Sequence, residues 1–242
     1  MLIRIVYTEG FNHLLSEHLK DYGTFVFVKR YFMYCYKGNF QQTQGKEVKK
    51  MVKIPTREEA MALLKKYNQN EALIKHALAV EAVMVHFAKK LNEKDIEKWS
   101  VVGLAHDLDY EKYPEQHCAK TKEILTDEDW PEDYIRAIVS HGWKICSDVE
   151  PVEMMEKVLY TIDELTGLIV ATVLMRPGKS ILDLKTSSVR KKYKNKNFAA
   201  GVDRQIIEEG AAMLGMELNK IIEESIKGMQ AAADDLGLRG EL

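Results

Sequence analysis

The chain has 242 residues, 46% hydrophobic and 30% charged, a balance that excludes intrinsic disorder and a short disulfide-stapled scaffold. Lys plus Arg number 35 and Asp plus Glu 37, so the formal charge of −2 gives no whole-protein field for nucleic acid or a membrane surface. Any anion site must be local. Three cysteines, Cys35, Cys118 and Cys146, are odd in number and form no CxxC pair, which argues against a disulfide framework or a thiolate zinc site. A reducing, cytoplasmic compartment is expected. The longest apolar candidate near the start, Thr24 to Phe40, is broken by Lys29, Arg30 and Lys37, so no membrane span or secretory signal is expected either.

Composition changes sharply near residue 50. Residues 1–50 hold 10 of the 21 aromatics and carry +4, whereas the remaining 192 residues carry −6. Thr24 to Val28 and Tyr31 to Tyr36 are β-branched and aromatic runs that read as strand or hairpin. An isolated hairpin is barely stable in water, and Met51 opens what reads as a self-sufficient domain. Residues 1–50 are therefore expected to be an upstream-translated stretch or a small appendage, and residues 51–242 the functional domain.

From Met51 the punctuation is helical. Thr56 with Glu59 forms a capping box, Asn70 caps a helix over Glu71 to Lys90, and Asn92 is expected to cap a third that runs to Ala105. Pro114, Pro131 and Pro151 are placed at the first helical positions of the segments after them. A long apolar helix follows Pro151 and stops at Pro177-Gly178. Asp203 and the Glu217 to Asn219 region open two last helices. No strand is expected after Met51. The body reads as all-α, with about seven to nine helices.

His76 lies in line with Leu73 and Val80 on the apolar stripe of its helix, where a single histidine is more often a hydrogen-bonded core residue than a ligand. His106 and Asp107 end the apolar run Val101 to Ala105, and burying the two together requires that they pair or bind a cation. Asp163 sits inside the apolar stretch Val158 to Leu174, with Gly167 leaving space beside it and only Lys157 and Arg176 flanking the helix. An ionised carboxylate there needs a partner, and a metal ion would supply the charge. His117 follows Pro114, and His141 closes the apolar segment Tyr134 to Ser140; each alone reads equally well as a helix-end histidine. Nitrogen and oxygen ligands without sulfur suit iron, manganese, zinc, nickel, cobalt or magnesium.

In order and approximate spacing, His76, His106-Asp107 and Asp163 resemble the defining residues of the HD-domain superfamily of metal-dependent phosphohydrolases, over residues 51–242. Phrases such as His-Asp-Leu-Asp-Tyr-Glu and Asp-Glu-Leu-Thr-Gly are similar to a subgroup described as predicted HD hydrolases. The resemblance implies an HD-type helical bundle in which His76, His106, Asp107 and Asp163 hold one divalent metal ion. In a two-metal site it implies that Asp107 bridges and that His117 and His141 hold the second. It also implies hydrolysis of a phosphoester. Some relatives of this fold are di-iron oxygenases, which keeps a redox reading open, and a non-catalytic metal- and nucleotide-binding module is a third.

Metal-dependent hydrolysis rests on an ion that brings the pKa of its water toward neutrality and polarises a phosphoryl oxygen. Asp109 and Glu111 follow the His-Asp pair closely enough to orient a ligand or to donate a proton to the leaving oxygen. Some phosphohydrolase relatives carry a glutamate three residues after the motif aspartate; Tyr110 stands there in this chain, which leaves the general acid open. Lys179 and Lys185, in the basic stretch 179–197, are the expected phosphate-binding cations, with Lys179 taken into the catalytic set beside Asp107 and Asp109. Trp143, two residues after His141, is a candidate to wall the pocket and stack on a base. The expected partner is a small phosphorylated molecule or nucleotide, with no nucleic acid and no membrane.

Overall fold

In a computed structural model, the chain is described over residues 53–240. The hairpin expected within residues 1–50, and the reading of that piece as an extension, lie outside the described residues. Among the described residues there are nine α-helices and no strand, in keeping with an all-α bundle. They are α1 (Arg57–Tyr67), α2 (Glu71–Lys90), α3 (Ile96–Ala105), α4 (Ala119–Asp127), α5 (Glu132–Val139), α6 (Met154–Leu174), α7 (Thr186–Lys194), α8 (Arg204–Leu214) and α9 (Leu218–Ala231). Short 3₁₀ turns at Pro114–Gln116 and Ser140–Gly142 precede α4 and follow α5. None of the described helices is long and apolar enough to cross a membrane.

Local chemistry sets most helix starts. The Thr56 hydroxyl accepts from Glu59 N while the Glu59 carboxylate accepts from Thr56 N, so two orphan amides at the start of α1 are satisfied reciprocally. Asn70 caps α2 and Asp203 caps α8 as expected. Asn92 does not cap α3. It sits in the left-handed region at φ 57°, just past the end of α2, and Asp95 accepts from Lys98 N instead. Pro131 is the residue before α5 rather than its first, and α6 begins three residues after Pro151, where Glu153 and Glu156 form a capping box. In both places proline restricts the approach to the helix.

Helix α2 is the axis of the bundle and packs against α3, α6 and α9, while α6 packs also against α8. Its inward stripe, Ala77, Val80, Val83, Met84 and Phe87, meets Val101, Val102 and Leu104 of α3 and the apolar length of α6 in one core. Gly103 permits the close crossing of α2 and α3, since a Cβ there would lie 3.0 Å from the Glu81 Cα. That crossing brings the C-terminal end of α3, with His106 and Asp107, up to His76 on α2. Asp163, midway along α6, faces the same spot.

Candidate metal centre

Six of the residues singled out in the sequence converge. The Asp163 Oδ1 atom lies 2.9 Å from His76 Nε2 and 3.3 Å from His106 Nε2. Asp107 Oδ2 faces the same two nitrogens at 3.7 and 3.4 Å. Its other oxygen, Oδ1, faces His117 Nε2 and His141 Nε2, each at 3.4 Å. Asp107 thus divides four imidazoles into two pairs, one on each carboxylate oxygen. Within the pairs the nitrogens approach closely, His76 to His106 at 3.3 Å and His117 to His141 at 3.1 Å.

The ring partners behind these nitrogens fix where the first proton sits on three of the rings. His141 Nδ1 donates to the Ile138 carbonyl at 2.6 Å and His106 Nδ1 to the Gly103 carbonyl at 2.8 Å, because a carbonyl oxygen can only accept. His117 Nδ1 donates to Asp109 Oδ1 at 2.7 Å. A neutral imidazole that uses Nδ1–H as donor keeps a lone pair on Nε2. His117 and His141 therefore point lone pair at lone pair across 3.1 Å, an arrangement that repels unless positive charge lies between them. A proton on one ring satisfies that pair alone. A divalent cation is matched to the whole set of nitrogen and oxygen donors.

Electrostatics run in the same direction. Burial works to raise the pKa of Asp107 and of Asp163, yet His106 foremost among their neighbours holds both below the ordinary carboxylate range. His106 itself is fully buried, which opposes its charge, but Asp107 and Asp163 lift it well above the usual imidazole range. For His117, too, burial is outweighed, here first by the hydrogen bond to Asp109. The centre is a nest of carboxylate charge that attracts cations, and two groups of donors could hold a metal ion: His76, His106 and Asp107, and His117, His141 and the Cys118 sulfur, which the sequence reading left out of the ligand set.

Asp109 does not reach the pocket. It is fully buried, with one oxygen on His117 and the other accepting from Thr121 N at 2.8 Å, which places it to orient an imidazole. Glu111 accepts from Gln69 N and Asn70 N at the start of α2 and is likewise structural. Lys179 and Lys185 are not brought to the centre. The eleven residues of α6 beyond Asp163 carry the chain roughly 16 Å along the helix. Lys179 then sits exposed, its backbone against Gly240, and Lys185 is the N-cap of α7. Trp143 stands behind the wall rather than in it, its ring 5.8 Å from that of Tyr160 and covered by the Lys144 ammonium.

A pocket of about 350 Å³ opens onto the centre. His76, Asp107, His117, His141 and Asp163 form its floor, and Tyr110, Ile145, Tyr160, Val202 and Ile206 supply apolar walls. Glu164 joins them; burial first and then Asp163 raise its pKa to about 7, and its carboxylate accepts from Asp203 N. Glu164 and Tyr160 carry no motif that marks them in the sequence. Helical spacing was the available signal, since both lie within one turn of Asp163 on the face that Gly167 leaves open. Cys146 also lines the pocket, and Cys118 lies against it. The Cys146 thiol is lowered to about 6, chiefly by the hydrogen bond from Cys118 and, against the opposing effect of burial, by His117 and His141.

Compared with known proteins, the chain matches no family model, no curated protein and no solved structure. The class supported by fold and site together is an all-α bundle with His and Asp groups able to hold metal.

Proposed function

We propose that this chain is a metal-dependent phosphohydrolase of HD type, acting on a phosphoester of a small metabolite or nucleotide at the His/Asp centre. The observation that carries the reading is the division of four imidazole Nε2 atoms between the two oxygens of Asp107, with the facing pair His117 and His141 at 3.1 Å. His76, His106, Asp107 and Asp163 would hold one divalent ion, and His117, His141 and the shared Asp107 a second. When bound, such ions lower the pKa of water and polarise a phosphoryl oxygen.

The chain's own groups do the rest. Asp109 locks the His117 tautomer, and the Gly103 and Ile138 carbonyls lock those of His106 and His141. With Asp109 sealed beneath His117, Glu164 on the pocket wall takes the place of proton donor to a leaving oxygen. Tyr110, Ile145 and Tyr160 suit a flat apolar group beside the phosphate, such as a nucleobase.

One observation favours a second reading. Among the described residues no lysine or arginine lines the pocket, so from these a phosphate would meet positive charge through the metals, whereas apolar walls over a His/Asp centre also suit a di-iron oxygenase. The test is metal analysis of protein purified without chelator, followed by a screen of phosphomonoesters, nucleotides and cyclic nucleotides. Phosphate or nucleotide products at substoichiometric enzyme support the hydrolase. Consumption of dioxygen by the ferrous protein without phosphate release selects the oxygenase. Tight nucleotide binding without turnover selects a regulatory module.

A further inference from the structure

Neither reading gives a role to the two thiols beside the centre, although the Cys118 sulfur lies within 4.8 Å of donor nitrogens of His117 and His141. Cys146 is exposed at the pocket wall, and Cys118 is buried behind it. Their sulfurs lie 3.0 Å apart although the residues are 28 positions apart in sequence. The intervening space is held open by Gly142, where a Cβ would stand 2.4 Å from the Cys146 sulfur and 2.5 Å from that of Cys118. A tight turn keeps Cys146 in place, with Cys146 N and Ser147 N both donating to the Gly142 carbonyl. Cys118 is held from the other side as the residue that opens α4, in the left-handed region at φ 65°. One accessible sulfur thus has a second, sheltered sulfur at its back, which is the geometry of an attacking and a resolving thiol.

We propose that Cys146 and Cys118 form a reversible, peroxide-driven disulfide at the wall of the pocket. The Cys146 sulfur attacks one oxygen of hydrogen peroxide. The O–O bond breaks, and the released hydroxide leaves as water with the thiol proton, so Cys146 becomes a sulfenic acid. The Cys118 sulfur then attacks the sulfenic sulfur, the S–O bond breaks, and a second water carries off the hydroxyl and the Cys118 proton. Two thiols and one peroxide become one disulfide and two waters. Closing the gap to a bonded distance of about 2.05 Å requires a movement of roughly 1 Å. The bond would tie the residue after His117 to the turn that follows His141, and it would withdraw an exposed sulfur from the pocket. The thiol chemistry itself needs no metal and survives the failure of either reading of the centre.

The experiment uses the full chain, reduced and freed of reductant, exposed to about one equivalent of hydrogen peroxide, alkylated, and digested without reduction for mass spectrometry. The expected product is one peptide pair joined through Cys118 and Cys146, in near-stoichiometric yield and released by dithiothreitol. Cys35→Ser should leave that yield unchanged, since the link lies within residues 118–146. Cys118→Ser should abolish it and let Cys146 advance to sulfinic acid. The proposal falls if both thiols alkylate freely after peroxide, if native Cys146 passes to sulfinic acid unlinked, or if the linked peptide joins Cys35.

Discussion

Helix α2 presents two histidines to two carboxylates, and the two sites are built differently. His86 meets the buried Glu224 of α9 at 2.7 Å, much as His76 meets Asp163 of α6 at 2.9 Å. Around Glu224, however, stand Lys220 at 2.9 Å, Lys227 at 3.2 Å and Lys90 at 3.5 Å. A third buried carboxylate, Glu81, receives Arg57 through two nitrogens at 2.5 and 2.9 Å and the Ser100 hydroxyl at 2.5 Å. Permanent cations close these two sites within the chain. Among the described residues, Asp107 and Asp163 are faced by imidazoles and by no lysine or arginine, so no permanent cation of the described chain answers them. A buried acid answered by lysine or arginine is part of the scaffold; one answered by converging imidazoles is a site for something not encoded in the chain.

The sharpest way to break this contrast is to remove the shared carboxylate. Asp107→Ala should lower metal affinity by more than about 100-fold and abolish turnover, because replacing even groups behind the ligands typically costs ~10–100-fold. Retention of metal after chelator-free purification would remove the basis of the reading. Asp109→Asn is the graded version. It keeps the shape but weakens the hold on His117 Nδ1, and a loss of roughly 10-fold in metal affinity is expected, read by competition with a chromogenic chelator.

The scaffold site should respond in the opposite sense. Arg57→Ala leaves Glu81 buried with Ser100 as its remaining partner among the described residues, and a fall of about 2 kcal/mol in unfolding free energy is expected, below the range for fully enclosed pairs because Arg57 is partly open to water. Metal content should not change. A variant that lost metal while keeping its stability would show that the two classes of acid are not separate.

Titration sharpens the contrast further. Burial would raise the pKa of Glu224, but His86, Lys220 and Lys227 hold it at about 2 against an ordinary 4.5. Between those values the unfolded chain binds the proton and the native one does not, so native stability increases with pH across the window. Glu224 contributes fully above about pH 4.5 and loses its contribution as the pH falls toward 2. Denaturant melts of the native chain and of Glu224→Gln should differ by roughly 1–3 kcal/mol at neutral pH and converge in that window. A difference that stayed constant with pH would place the stabilisation elsewhere.

Part of the candidate centre was legible in the sequence because a local rule was broken: Asp163 interrupts an apolar helix, and His106-Asp107 ends one, whereas His76, His117 and His141 each read alone as core or helix-end histidines and stood out only as a recurring set. The division of the bundle into helices was legible from the capping box at Thr56 and the cap at Asn70. What escaped depended on where a helix ends in space. Lys179 follows the Asp163 helix in sequence, but the length of α6 carries it away from the carboxylate, and periodicity gives direction around a helix, not distance along it. Asn92 and Asp95 are both good caps, and only the left-handed turn at Asn92 decides between them. The closeness of Cys118 to Cys146 arises from two separate turns meeting at Gly142, which no local pattern encodes.

Glycines offer the finest comparison between scaffold and site. On α8, a Cβ at Gly210 would stand 2.1 Å from the Thr161 hydroxyl and 2.9 Å from its Cα, so Gly210→Ala would force α8 and α6 apart. On α6, a Cβ at Gly167 would meet nothing nearer than Val202 at 4.0 Å, because the space beside it is the pocket. A glycine inside a helix that no packing requires is there at the expense of stability. Gly167→Ala should therefore raise unfolding free energy by about 0.5–1 kcal/mol while Gly210→Ala lowers it. Metal content of the Gly167 variant should match the native chain, since Gly167 is not a ligand, whereas KM for any substrate the pocket takes should rise with kcat little changed. A Gly167→Ala protein that was destabilised would mean that the space beside Asp163 is filled by the protein and not kept for a ligand.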